Sequence, residues 1–164
     1  MIEIEDMRRW IEEDAGSMLR KAGLGFLGEE GTEGWYGTTR SVWYGNDSVR
    51  LLFRFSTGYD AYLIVDMTPL DEGELRYVPT PPEYLQPPHP AKFVFYLALP
   101  LYRLLEKRAG SELQGMIDGP QSDENAREML RQHTEWIRKY AMDVLHGDFS
   151  QVEDVMITSG YQVG

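Results

Sequence analysis

The segment between Arg40 and Thr68 alternates between apolar and polar residues, the period-two pattern of strands that bury one face. Turn-forming residues interrupt the pattern at Asn46-Asp47 and around Thr57-Gly58-Tyr59. The pattern therefore predicts three antiparallel strands, at Arg40 to Gly45, Ser48 to Ser56 and Ala61 to Thr68.

The register of these strands is predicted from the side chains that it buries together. A two-residue turn at Asn46-Asp47 pairs Tyr44 with Val49, and a three- or five-residue second loop pairs Phe55 with Ala61. We reject a second loop of two or four residues, because it would bury aspartates among apolar side chains. The preferred register puts ten apolar side chains on one face, namely Val42, Tyr44, Val49, Leu51, Phe53, Phe55, Ala61, Leu63, Val65 and Met67.

The opposite face is the candidate binding surface. The same register aligns Trp43, Arg50 and Asp66 across the three strands. Aromatic and arginine side chains contribute most of the binding energy at protein interfaces, so this face is a candidate partner-binding patch. The alternative is an ordinary solvated face with an Arg50–Asp66 cross-strand pair. The predicted patch consists of Trp43, Arg50, Leu52, Arg54, Tyr62, Ile64 and Asp66.

Apolar residues at three- and four-residue steps predict an N-terminal helix from Ile4 to Ala22, ended by Gly23. The glycine-rich stretch from Gly23 to Gly34 is predicted to be a connector. Its Gly-Leu-Gly-Phe-Leu-Gly run is a weak candidate for a phosphate loop, because no strand is predicted before it and no Gly-Lys-Ser/Thr ends it.

The C-terminal region is predicted to be helical. An apolar stripe from Ala126 to Leu145 predicts one long helix, capped by Ser122 or Asp123 and ended by Gly147. Asp148 is then expected to cap a short final helix that extends through Ile157.

The middle of the chain is less regular. Six prolines between Pro79 and Pro90 exclude a helix or an interior strand and predict an extended connector. The stretch from Ala91 to Arg108 favours a buried helix kinked at Pro100. The alternative is a strand from Lys92 to Leu99, followed by a helix that begins near Pro100.

Together these elements predict a single α+β domain over residues 1–164. Its antiparallel meander sheet of three or more strands is packed by an N-terminal helix and C-terminal helices. The chain has no cysteine, which excludes disulfides, thiolate catalysis and cysteine-containing zinc sites. Its acidic start is unlike a secretory signal, and its apolar stretches are far shorter than the roughly 20 residues of a membrane span. We therefore expect a cytoplasmic protein with no membrane association.

The formal net charge is −11, and the excess acids belong to the terminal helical regions and the central loop. Such a charge repels nucleic-acid phosphates and attracts basic proteins. We therefore expect no nucleic-acid partner and consider a basic protein the candidate partner. The alternative is that the acidity serves solubility.

No catalytic motif is recognisable, and no metal or cofactor site is predicted. His89, His133 and His146 have no metal-ligand spacing, and a structural role is expected for each. An enzyme remains the alternative to a binding protein. It would require a deep pocket in which at least two of His89, His133, Asp66 or nearby acids converge.

The stretch Tyr140-Ala-Met-Asp-Val-Leu-His-Gly-Asp-Phe-Ser150 resembles the ending of many small bacterial proteins, some of which are similar to immunity proteins of toxin systems. Immunity proteins are often acidic single domains that occlude a basic toxin. The resemblance therefore implies a binding protein, and it assigns no functional residue.

Overall fold

The N-terminal helix lies where the apolar periodicity predicts it. The structure, a computed structural model, describes residues 2–34, 37–57, 62–85, 92–113 and 125–163. Helix α1 (Ile4–Lys21) buries Met7, Ile11 and Leu19 on one face. Gly23, two residues after the end of α1, has a φ of +76°, the left-handed conformation that glycine adopts without a Cβ clash and that terminates the helix.

Eight strands of the described residues form one antiparallel sheet. Their order is β1-β2-β3-β4-β7-β6, while β5 pairs with β4 and β8 pairs with β7. The sheet is thus the predicted meander, extended by further strands on both sides. The bounds are β1 Gly25–Gly34, β2 Gly37–Gly45, β3 Val49–Thr57, β4 Tyr62–Asp71, β5 Glu74–Leu75, β6 Tyr77–Val78, β7 Lys92–Pro100 and β8 Ile157–Val163.

The helices cover one face of this sheet and complete the α+β arrangement. They are α1, α2 (Leu101–Arg108), α3 (Ala126–Tyr140) and α4 (Met142–Leu145). Helix α1 packs on β2, α2 and α3 pack on β4, and α4 packs on β3. The main hydrophobic core lies between these helices and the apolar face of strands β2 to β4.

The predicted faces of β2 to β4 are correct, but the predicted register is wrong by two residues. Tyr44 lies opposite Leu51 and Phe55 opposite Leu63. The side-chain Oδ1 of Asn46 accepts the N–H groups of Ser48 and Val49 at 2.8 and 3.0 Å, which favours a longer first loop than the predicted two residues. A shift of two residues keeps every side chain on its face. All predicted core residues are buried except Ala61, which lies outside the described residues.

The glycine-rich stretch after α1 and the segment from Lys92 to Pro100 also belong to the sheet. The glycine-rich stretch predicted as a connector forms β1, which pairs with β2 through its backbone while its side chains are largely exposed. The favoured helix is wrong over residues 92–99, and the alternative strand is correct there. Phe95 and Leu99 of β7 are buried, whereas Tyr96 on the other face is partly exposed. Cross-strand pairing with β6 and β8 therefore decides the conformation of this ambiguous segment.

The C-terminal helices differ from prediction at two places. The long helix breaks at Ala141, where Arg108 donates a hydrogen bond to the carbonyl of Tyr140 at 2.6 Å. The predicted caps Ser122 and Asp123 lie outside the described residues. The prediction of a final helix is wrong. A single 3-10 turn at Glu153–Val155 leads into β8 instead, because the residues after this turn pair with β7.

Candidate functional site

The polar face of β2 to β4 forms one wall of a groove with a volume of about 710 Å³. The opposing wall comes from the β4–β5 turn and from strands β5 to β8. Residues distant in sequence, such as Trp43 and Tyr161, therefore line the same groove.

The walls separate because β5 and β6 lie between β4 and β7. The two long strands pair directly at Asp66–Pro100 and Met67–Leu99. Farther along, β4 pairs with β5 and β7 pairs with β6 instead. The β4–β5 turn is tight, since Glu72 and Gly73 both have positive φ angles.

The structure brings most of the predicted patch into this groove. Trp43, Arg50, Leu52, Arg54 and Asp66 all line it. Tyr62 and Ile64 belong to the same sheet face but are not among the residues that line the groove.

The predicted alignment of Trp43, Arg50 and Asp66 is wrong because of the two-residue register shift. Leu52 lies opposite both Trp43 and Asp66, and Arg50 lies opposite Thr68. Leu52 is therefore the residue that joins Trp43 to Asp66 across the sheet.

Three tyrosines on the opposing wall were missed by sequence reasoning. Tyr77 lies directly opposite Tyr96, and the rings of Tyr96 and Tyr161 are 6.0 Å apart. A hydrogen bond with Tyr161 raises the pKa of the Tyr77 hydroxyl. The available signal was the alternation of residues 92–98, which places Tyr96 on the face opposite Phe95 once the segment is read as a strand.

The groove contains arginines with free hydrogen-bonding capacity. Arg54 donates to the hydroxyl of Ser41 at 3.0 Å. Within the described part of the chain, the Arg50 side chain has neither a hydrogen bond nor an ion pair. Because Arg50 is partly exposed in the groove, its guanidinium can donate to a ligand.

Asp66 is the partly buried acid of the groove. Burial raises the pKa of its carboxyl, and the nearby charge of Arg54 partly offsets that effect. No hydrogen bond to its carboxylate is formed by the residues that the structure describes. Glu74 also lines the groove, and its side chain is more exposed.

The histidines lie elsewhere. His133 on α3 contacts Trp136 with ring centroids 4.7 Å apart, and its Nδ1 lies 2.7 Å from the carbonyl oxygen of Met129. His146 forms a similar contact with Met142 at the end of α4. His89 lies outside the described residues. Among the residues that are described, no histidine converges with Asp66, and no group of three His, Asp or Glu side chains is arranged to hold a metal.

Comparison with family models, with curated proteins and with solved structures finds no match to this chain in any of the three. Within the described ranges, no helix has the length and apolarity needed to cross a membrane. The groove and the net charge are therefore the features of this chain that bear on its function.

Proposed function

We propose that this protein is a non-enzymatic cytoplasmic binding protein and that the groove recognises a segment of a protein partner. The observation that carries the proposal is the convergence of Trp43, three tyrosines and an arginine on one concave surface. This arginine, Arg50, has no carboxylate partner among the described residues. Tryptophan, tyrosine and arginine are the residues most enriched at binding hot spots.

The groove chemistry suits a segment that carries both an acidic group and a flat apolar group. The guanidinium of Arg50 can donate two parallel hydrogen bonds to a carboxylate. The rings of Trp43, Tyr96 and Tyr161 offer apolar surface at little cost in side-chain entropy. Asp66 and Glu74 line the same groove and disfavour a second acidic group beside them.

The test compares groove variants with a matched surface variant. Trp43→Ala and Arg50→Glu are expected to weaken partner binding about tenfold or more, the loss typical of a hot-spot residue. Arg138→Glu is the control, because Arg138 lies on the exposed face of α3 and pairs with Glu135. A partner recovered by affinity capture would be purified and titrated against all three variants. Equal affinity for the groove variants and the control would contradict the proposal.

An immunity-like inhibitor of a basic toxin is the second candidate. It is supported by the net charge of −11 and by the resemblance of the Tyr140–Ser150 stretch. A charge of this sign accelerates association with a basic protein and repels nucleic acid. Co-expression with the product of a toxin gene next to its own should protect cells. Unchanged killing by that toxin would count against this candidate.

An enzyme that uses acids of the groove is the alternative to both. Asp66 and Glu74 line the same surface, and the pKa of Asp66 is raised, as is common for a general acid. Asp66→Asn separates the alternatives. It should abolish turnover by such an enzyme, whereas a binding protein would retain its partner through Arg50 and Trp43.

A further inference from the structure

Strand β1 forms an outer edge of the sheet. It is ten residues long, pairs with β2 alone and is exposed at every residue except Gly28, which is half-buried. Within the described residues, no strand pairs with its other side. Alternate residues of β1 therefore direct backbone N–H and C=O groups outward, available to another strand.

This edge lacks most of the devices that usually protect edge strands. Those devices are charged side chains, especially lysine, together with proline, a short strand, a bulge or a covering segment. Of these, β1 has charged side chains in the form of three glutamates. Residues Gly25–Gly34 include no proline and no basic residue. The bulge at Phe26 and Gly28 affects only the start of the strand, and residues from Glu29 to Gly34 pair with β2 in unbroken register. A stretch of six residues is thus left regular and unpaired on its outer side.

The charged residues of β1 determine which kind of partner strand can pair with it favourably. Glu29, Glu30 and Glu33 are its only charged residues. Glu29 and Glu33 interact with Arg8 and Arg40 at 3.7 and 3.3 Å, whereas Glu30 has no ion pair within the described part of the chain. A second copy of β1 would bring glutamates of both copies to one small interface, and like charges across a strand pair are unfavourable. A strand that carries lysine or arginine would neutralise them.

We propose that β1 binds an extended basic segment of a protein partner by strand addition along Glu29 to Gly34. Main-chain hydrogen bonds would hold the segment, and its basic side chains would contact Glu30 and its neighbours. Strand β8, which pairs with β7 alone among the described strands, carries no charged residue and therefore offers no comparable selection by charge. The β1 site is separate from the groove, so it does not depend on the function proposed for the groove.

The probe is a synthetic nine-residue peptide of alternating lysine and threonine with blocked ends. We expect it to slow amide hydrogen exchange at outward-facing residues of Glu29 to Gly34, measured residue by residue by NMR. Two control peptides test the two parts of the proposal. In one, glutamate replaces lysine and removes the charge complementarity. In the other, proline replaces threonine and removes backbone donors. Neither control should protect β1.

Matched variants then locate the site. Glu30→Lys should weaken peptide binding about fivefold or more, because it replaces an attractive cross-strand pair with a repulsive one. Glu153→Lys, a charge reversal on a distant exposed turn, should leave the affinity unchanged.

The groove variant Arg50→Glu should not weaken binding of the basic peptide. A failure of the β1 proposal can therefore be distinguished from a failure of the groove proposal. Protection at β8, equal binding of the acidic peptide, no protection of β1, or a dimer formed through β1 would each overturn the proposal.

Discussion

Gly160 of β8 lies directly opposite Phe95 of β7, and a Cβ atom at Gly160 would come within 2.7 Å of the Phe95 ring. The Phe95 ring is buried and is also held by Tyr84, whose ring centroid is 4.9 Å away. A ring that covers a glycine on the neighbouring strand shields the exposed backbone there. Gly160 is thus required for steric reasons, to let β8 pair closely with β7.

We expect Gly160→Ala to destabilise the protein by about 1–3 kcal/mol, because the Phe95 ring must move to admit the methyl group. Urea unfolding would measure the change. Gly25→Ala is the matched control, since no atom lies within 4 Å of a Cβ at Gly25. A similar effect of the two substitutions would show that the contact with Phe95 is not the cause.

Asp66→Asn should stabilise the protein at pH 7 by on the order of 1 kcal/mol. Burial raises the pKa of Asp66 in the folded state above its unfolded value of about 3.9. The folded state therefore loses stability as the pH rises through the folded pKa, and the neutral asparagine avoids that loss. Unfolding at pH 7 and at pH 3 tests this, because the difference between the two proteins should disappear at pH 3. Lower stability of the variant at pH 7 would contradict the prediction.

The Arg108–Asp143 pair should stabilise the helix break in a pH-dependent way. Both guanidinium Nη atoms donate to the carboxylate at 2.7 Å, and these bonds lower the pKa of Asp143. The stabilisation is present above the unfolded value of about 3.9 and is lost as the pH falls through the lower folded pKa.

Asp143→Asn is expected to cost about 1 kcal/mol at pH 7, measured by thermal or urea unfolding, and less at pH 2. The control Glu135→Gln removes an exposed pair with Arg138 and should change stability by less than about 0.5 kcal/mol. A cost for Asp143→Asn that is independent of pH would refute the electrostatic explanation.

His133 should make folding sensitive to mild acid. Burial lowers its pKa below the ordinary value of 6.5, so the folded protein holds it neutral. Stability is present above pH 6.5 and is lost as the pH falls, because the unfolded chain then binds a proton more readily.

His133→Gln should reduce the stability loss between pH 7 and pH 5 by on the order of 1 kcal/mol, measured by urea unfolding. The exposed His146 provides the control substitution His146→Gln. An unchanged pH profile for His133→Gln would assign the sensitivity to other groups.

The face assignment of β2 to β4 could be predicted because strand alternation has a period of two. Val42 and Phe53 remain buried even though the register differs from the predicted one. The register itself depends on how the side chain of Asn46 shapes the first loop, which the alternation does not encode. Strand β1 gave no alternating apolar signal, because most of its residues are exposed and few of its side chains enter the core.

The sequence predicted the residues of one wall of the groove. Arg50, Leu52 and Arg54 share a face by simple alternation along β3. The opposing wall depends on β7 pairing with β8, which joins residues more than sixty positions apart, such as Phe95 and Gly160. Local sequence preferences favoured a helix for the first of these strands. The opposing wall with its three tyrosines is formed by that long-range pairing.

Because side chains alternate along a strand, the residues that stabilise the core and the residues that can contact a ligand lie on opposite faces of the sheet. Along β3, Leu52 and Arg54 face the groove, while Leu51, Phe53 and Phe55 are fully buried. Groove positions can therefore vary in evolution while the core sequence is retained. A library randomised at Trp43, Arg50, Leu52 and Arg54 could acquire new ligand specificities on an unchanged scaffold.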